Sequence, residues 1–313
     1  MSVVHAQTRE ELPAPALEEV SDGIFAYVQL DGSWFLNNTG FIISPDGVIV
    51  IDSTGTESRA EAFHAAVRGQ SDLPLRALIN THSHGDHTFG NFVFTPDCAI
   101  VGQELCREAV LATDVEGTKQ RFPGGDFGDI EIAAPFLTFE ERMNVYAGDL
   151  KIELIHMGPA HTPNDIVAWI PERKVLFTGD LIFNQGTPFA LQGSVHGWLV
   201  ALDRIETLHP ETIVPGHGPV TGPEVIREVR NYLRFIANTA RKGFDADIEP
   251  RDLARDLDLG EFADLHDPER LVPNLHRAYS ELRGEPLGTP LPALQMFDEM
   301  VEYNGGKPLR CLA

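Results

Sequence analysis

Between Thr81 and His87 the chain places three histidines and a carboxylate in six positions: His82, His84, Asp86 and His87. Imidazole and carboxylate are ligand types that Zn²⁺ and other borderline metals take. The stretch follows Ala77-Leu78-Ile79, an apolar run that reads as a buried strand, so these side chains stand where a strand gives way to a loop. A loop turns several side chains toward one point, which a strand alternating its faces cannot do. His82 and His84 can share one metal, and Asp86 and His87 can serve a second beside it.

Three further segments have the same form, an apolar strand ending in a Gly-rich turn. They are Ile155 to Thr162, Val175 to Asp180 and Ile213 to Gly218. Each offers one ligand at a strand end: His161, Asp180 and His217. The total is five imidazoles and two carboxylates, a set that suits two metals with open positions for water and substrate. Zn²⁺ fits such donors best, with Fe or Mn compatible.

The HxHxDH signature, a later histidine before Thr-Pro, a TGD and a PGHG, in this order, resemble the metallo-β-lactamase superfamily. The resemblance covers roughly residues 16–240. It implies an α/β (α+β) fold, a four-layer αββα sandwich with a dinuclear site between the edges of two sheets. Carried over by motif, it implies that His82, His84 and His161 bind the first metal. Asp86, His87 and His217 bind the second, and Asp180 bridges them. It also implies chemistry by a metal-bound hydroxide, which two cations make nucleophilic near neutral pH. Asp86 then acts as the catalytic carboxylate, orienting the hydroxide and shuttling its proton.

Composition bounds the partners. The chain has 313 residues and a net charge of −23. An acidic surface repels phosphate backbones, which disfavours nucleic acid and the nuclease members of the superfamily. It equally disfavours anionic membranes. Residues 1–20 show no apolar leader run, and no stretch is apolar enough to span a bilayer. Cys98, Cys106 and Cys311 make an odd, sparse set. A cytoplasmic enzyme with free thiols is the expectation.

The elements that must position the site alternate between β and α. Strands are expected at 24–30, 41–44, 47–53, 77–81, 98–102, 137–139, 143–146, 151–157, 165–171, 175–179 and 212–215. Helices are expected at 56–69, 103–113, 198–208 and 223–241. Thr221 and Glu224 fit a capping box opening the last, whose Val225, Val229, Tyr232, Leu233 and Ile236 recur at core spacing. This divides the chain into a catalytic domain at 16–241 and a C-terminal helical extension at 242–313, with helices at 250–258, 268–283 and 292–303. The extension suits a cleft wall or a homo-oligomer surface. Residues 114–136, rich in Gly with aromatics, suit a substrate lid or a plain connection.

The loop after Asp180 must border the metals, so Phe183, Gln185 and Phe189 are pocket candidates, together with Trp34 in an early loop. Ordinary packing is the competing role for each aromatic. Arg227, Arg230, Arg234 and Arg241 fall on one side of the 223–241 helix, a solvated face or a stripe for an acidic partner.

A narrower resemblance rests on Asn80 to Asn91, Gly158 to Thr162, Thr187 to Leu191 and the tail from Tyr303 to Ala313. There the chain resembles the second-ring cyclases of bacterial aromatic polyketide synthesis, of the actinorhodin-pathway kind. That implies aldol cyclisation and dehydration of a poly-β-keto chain held as a thioester on an acyl carrier protein, with or without hydrolysis of that thioester. A general cytosolic zinc hydrolase of thioesters, esters or lactones, glyoxalase II-like or lactonase-like, is the other reading of the same seven residues.

Overall fold

The structure, a computed structural model, describes residues 12–313. The first eleven residues of the stretch read for a leader lie outside the described residues.

Two sheets face each other. The first takes β1 (Ala16–Ser21), β2 (Ile24–Val28), β3 (Thr39–Ser44), β4 (Gly47–Ile51), β5 (Leu75–Ile79), β6 (Ala99–Gln103) and β7 (Leu137–Phe139) in that spatial order. The first four strands pair antiparallel; β4 through β7 are parallel. The second sheet runs β12-β11-β10-β9-β8, from β8 (Arg142–Ala147), β9 (Leu150–His156), β10 (Ile166–Ile170), β11 (Val175–Phe183) and β12 (Thr212–His217). β-Branched and leucine side chains such as Ile42, Ile51 and Ile79 meet Leu154, Ile166 and Phe177 in the layer between the sheets.

Helices cover both outer faces. On the first, α1 (Glu57–Gln70) buries Phe63 and Val67 against Phe41, Val50 and Leu78. Thr56 caps it, its hydroxyl accepting from Arg59 N. The single-turn helices α2 (Gly85–Thr88) and α3 (Asn91–Phe94) follow β5. Then come α4 (Glu104–Leu111) and α5 (Val115–Arg121). On the second face, α6 (Val195–Glu206) and α7 (Glu224–Asp245) bury one apolar stripe each. Of the extension, α8 (Pro250–Arg255), α9 (Leu271–Leu282) and α10 (Ala293–Tyr303), α9 packs on both α6 and α7. This is the αββα sandwich with added helices.

Several details differ from the sequence reading. β1 was not foreseen. The 114–136 stretch holds a helix, α5. α7 runs to Asp245, past the expected boundary at 241. Its start has no capping box: the Thr221 hydroxyl donates to Glu224 Oε1 at 3.2 Å instead of accepting a backbone N–H, and the cap is Pro223. The arginine stripe is broken, because Arg230 is buried and paired with Asp203 (3.1 Å) and Glu206 (2.8 Å) of α6. Among the described residues no helix is long and apolar enough to cross a membrane.

Candidate metal centre

Four segments at one edge of the sandwich deliver the seven residues. His82 and His84 lie in the loop after β5. Asp86 and His87 sit on α2, whose single turn aims both the same way. His161 lies between β9 and β10, and His217 ends β12. Asp180 is not at a strand end: β11 runs on to Phe183. Gly179 makes this possible. Its φ of 49° breaks the register with β12 and swings Asp180 toward the cluster.

The structure brings all seven together. Two groups form, His82-His84-His161-Asp180 and Asp86-His87-His217-Asp180, each with ligand atoms within 4.8 Å of one another. Asp180 is common to both. Its Oδ2 lies 3.4 Å from Nε2 of His161, 3.4 Å from Nε2 of His217 and 3.8 Å from Nε2 of His82, while Oδ1 lies 3.0 Å from Nε2 of His87. Asp86 Oδ2 meets His217 Nε2 at 3.2 Å.

Each imidazole is held from behind. His87 Nδ1 donates to Asp52 Oδ2 at 2.8 Å, His161 Nδ1 to Phe189 O at 2.5 Å and His217 Nδ1 to Gly32 O at 3.0 Å. His84 is turned round, with Nε2 donating to Gln192 Oε1 at 2.7 Å. His82 Nδ1 meets Thr81 Oγ1 at 3.1 Å, and that hydroxyl donates to Asp52 Oδ2 at 2.7 Å. With the outer nitrogens engaged as donors, the inner ones are left with lone pairs pointing inward.

The donor set fits cations. His84 Nδ1 and His161 Nε2 face each other at 2.8 Å, two lone pairs with nothing between them unless a cation or proton intervenes. His82 Nε2 is buried without a hydrogen-bond partner, and His87 Nε2 and Asp180 Oδ1 face each other at 3.0 Å without hydrogen-bond alignment, an arrangement that is costly unless something positive binds there.

Electrostatics divide the cluster. Burial, then neighbouring imidazoles, hold His82 well below its ordinary value and His161 down at about 3. Burial also opposes charge on His217 and His87, but Asp180 foremost among the carboxylates outweighs it. His217 rises to about 8 and His87 well above its usual range. Burial would raise Asp86, yet His87 and His217 hold it at about 2. Metal ligation displaces such protons.

A cleft of about 590 Å³ opens on the cluster, lined by Trp34, Phe122, Phe183, Phe189, Arg270 and Phe297 among others. Of the pocket candidates it holds Trp34, Phe183 and Phe189. It does not hold Gln185, which adopts φ 72° and lines a separate depression with Tyr232 and Phe262. The 114–136 segment reaches in through Phe122, 5.2 Å from the Trp34 ring. The extension reaches in through Phe297 and Arg270, the latter 4.1 Å over Trp34. Glu269 accepts from Trp34 Nε1 at 2.7 Å, tying α9's entry to the early loop.

The sequence profile of the metallo-beta-lactamase superfamily matches residues 32–217, over half of the chain. The chain belongs to the metallo-beta-lactamase superfamily. Among curated members, a linear primary-alkylsulfatase from a Pseudomonas species is 22% identical over 85% of this chain and 60% of that protein. The alpha subunit of a 2,4-dinitroanisole O-demethylase from a Nocardioides species is 23% identical over 92% of this chain and 77% of that one. A solved metallo-beta-lactamase from Pontibacter korlensis superposes with a TM-score of 0.59 at 18% identity, over 70% of this chain and 99% of the other. This metallo-beta-lactamase-superfamily chain thus spans 60% of the length of the alkylsulfatase it matches.

Two residues behind the cluster escaped the sequence reading. Asp52 ends the apolar strand Val48–Ile51 and precedes Ser53-Thr54-Gly55, the same strand-into-glycine-turn form that exposed His161, Asp180 and His217. Gln192 carries no such signal.

Proposed function

We propose that the chain is a dinuclear metal-dependent enzyme that works on a flat keto-aromatic acyl substrate. In its finer form it is a second-ring polyketide cyclase taking a thioester from an acyl carrier protein. The observation that supports this is the cleft, whose rings Trp34, Phe122, Phe183, Phe189 and Phe297 adjoin the His/Asp cluster. Rings on several sides suit a planar substrate.

In this reading His82, His84 and His161 hold one cation, Asp86, His87 and His217 the other, and Asp180 spans both. Zinc suits the donors, with iron or manganese compatible. When bound, such cations polarise a carbonyl and make water more acidic. The rest is done by the chain. Asp86 Oδ2 is engaged by His217, which leaves Oδ1 to accept a proton and pass it to the product. Asp52 and Gln192 fix the ring orientations of His87 and His84. The aromatic walls exclude bulk water, so a keto chain folds on itself before water competes.

A second reading, hydrolysis of a thioester, ester or lactone, draws on the names of the relatives: an alkylsulfatase and an O-demethylase, neither a cyclase. Mass-spectrometric product analysis on zinc-loaded protein separates the two, with Asp180→Ala as control. The panel holds a first-ring-closed polyketide thioester, simple acyl thioesters, lactones, an aryl ether and a sulfate ester. Loss of one water from the polyketide thioester supports the cyclase. Cleavage of the simple substrates with the polyketide untouched leaves a metallohydrolase.

A further inference from the structure

Arg121 is the last residue of α5, in the 114–136 segment. It lines the same cleft as the cluster. Its guanidinium lies 5.3 Å over the ring of Phe297 from the extension, and its NH2 donates to Thr118 Oγ1 at 3.1 Å. Among the described residues no carboxylate comes within ion-pair distance of it. Asp114, which caps the same helix by accepting from Gly117 N at 2.9 Å through Oδ1, turns Oδ2 toward Arg121 but stays outside ion-pair distance. In a chain with 47 acidic and 24 basic residues, a half-buried arginine without an acidic partner stands out. The other arginine lining this cleft, Arg270, is already held by Asp267 at 2.9 Å and by the Thr187 carbonyl at 3.1 Å.

A path of rings links Arg121 to the cluster. His84 and His161 lie 6.4 and 6.3 Å from Phe189, Phe189 lies 5.1 Å from Trp34, and Trp34 lies 6.4 Å from Phe297, beneath Arg121. Between the two polar ends the lining is mostly aromatic, the exception being the Arg270 guanidinium over Trp34, which Asp267 already neutralises, and Leu294, 70% exposed, adds to the apolar surface at the mouth.

We infer that Arg121 is a specificity-determining residue that receives an oxyanion at the end of the substrate remote from the metal cluster, with the aromatic body of the substrate lying along the intervening rings. The inference rests on the reading of the cleft given above. The oxyanion is a carboxylate of the substrate itself or the phosphate of a pantetheine arm. A guanidinium backed by a ring and surrounded by apolar surface holds either chemistry. The ring beneath also limits its rotamers, so less freedom is lost on binding.

The test is a fluorescence titration of the metal-loaded protein with two probes of one shape, 1-pyrenebutyrate and the neutral 1-pyrenebutanol. The wild type should bind the carboxylate roughly fivefold more tightly. Arg121→Ala should lose that fivefold increment and keep only the preference the cluster itself gives, and Arg121→Lys should restore part of it. The cluster attracts anions equally in all three proteins, so the difference reports Arg121 alone. Unchanged thermal unfolding of the variants establishes that the fold is intact. A second pair, pyrenebutyryl-pantetheine with and without its 4′-phosphate, identifies the source. A preference confined to this pair assigns the site to a carrier arm, and one confined to the first assigns it to a substrate carboxylate. A preference undiminished in Arg121→Ala, or equal binding of both members of both pairs by the wild type, overturns the inference alone. Failure of every probe to bind overturns it together with the aromatic-cleft reading.

Discussion

Asp52 Oδ2 lies 2.8 Å from Nδ1 of His87, reached from the left-handed backbone region at φ 57°. The same carboxylate accepts from Thr81 N and Thr81 Oγ1, both at 2.7 Å. One buried acid thus orients His87 directly and His82 through a hydroxyl.

Asp52→Asn should lower metal affinity by about 10- to 100-fold, because His87 loses the anion that fixes its tautomer. A chelator-competition titration reads this. Asp52→Ala should also destabilise the fold by about 1–3 kcal/mol, since the Thr81 donors are left buried and unpaired. Wild-type affinity in both variants would dismiss the relay.

Gly216 faces Asp180, and a methyl group there would collide with Asp180 Oδ1 and with the backbone at Gly179. Gly216→Ala should therefore cost about 1–3 kcal/mol and weaken metal binding at the same time. Gly186→Ala is the control, since its added carbon meets only Phe183 at an ordinary 3.5 Å. Equal behaviour of the two variants by urea unfolding and metal titration would count against the close approach.

Asp165 accepts from Thr162 N at 2.8 Å and Thr162 Oγ1 at 2.6 Å, bracing the loop that carries His161. Burial pushes its carboxyl up to about 7, with Thr162 working against the rise. The folded state then binds the proton more tightly than the unfolded state. The stabilisation is complete below pH 3.8 and lost as pH climbs to about 7. The full swing is on the order of 4 kcal/mol. Urea unfolding of metal-free wild type and Asp165→Asn across this window should show the difference between them falling with pH. A constant difference would mean that the carboxyl titrates normally.

Removing metal should leave the fold intact but less stable. Zinc returned at about 100 times its Kd should add about 2.7 kcal/mol, a rise of roughly 5 °C in melting temperature. Asp180→Ala should abolish that rise, because it strips a ligand from both groups at once. A rise that persists in the variant would place the metal elsewhere.

Much of this was legible because the signals were local. A run such as Val48–Ile51 or Val175–Phe177 is buried on both faces and reads as a central strand. The histidines follow such runs directly. What escaped has physical reasons. β1 carries Glu18 and Glu19, exposed on an edge where no apolar alternation is required. α2 and α3 are four residues each, too short to show a period. In α5, Gly117 sits inside the helix, and a capping Asp114 offsets a residue that favours a loop. Gln185 follows Asp180 closely in sequence, but its left-handed backbone turns the chain away from the cleft. Arg230 lies at surface spacing, yet acids on α6 that no local pattern announces draw it in.

The walls of the cleft have a different origin from its floor. Trp34, the 114–136 segment with Phe122 and Arg121, and the extension with Arg270 and Phe297 meet over a cluster to which none of them belongs. Exchange of Trp34, Phe122 or Phe297 changes the walls without removing a residue of the cluster. Reactivity and selectivity therefore rest on different residues of one fold. A lineage can change what it accepts while keeping the chemistry it performs, and Trp34, clasped by Glu269 and covered by Arg270, is the joint at which the two sets must stay matched.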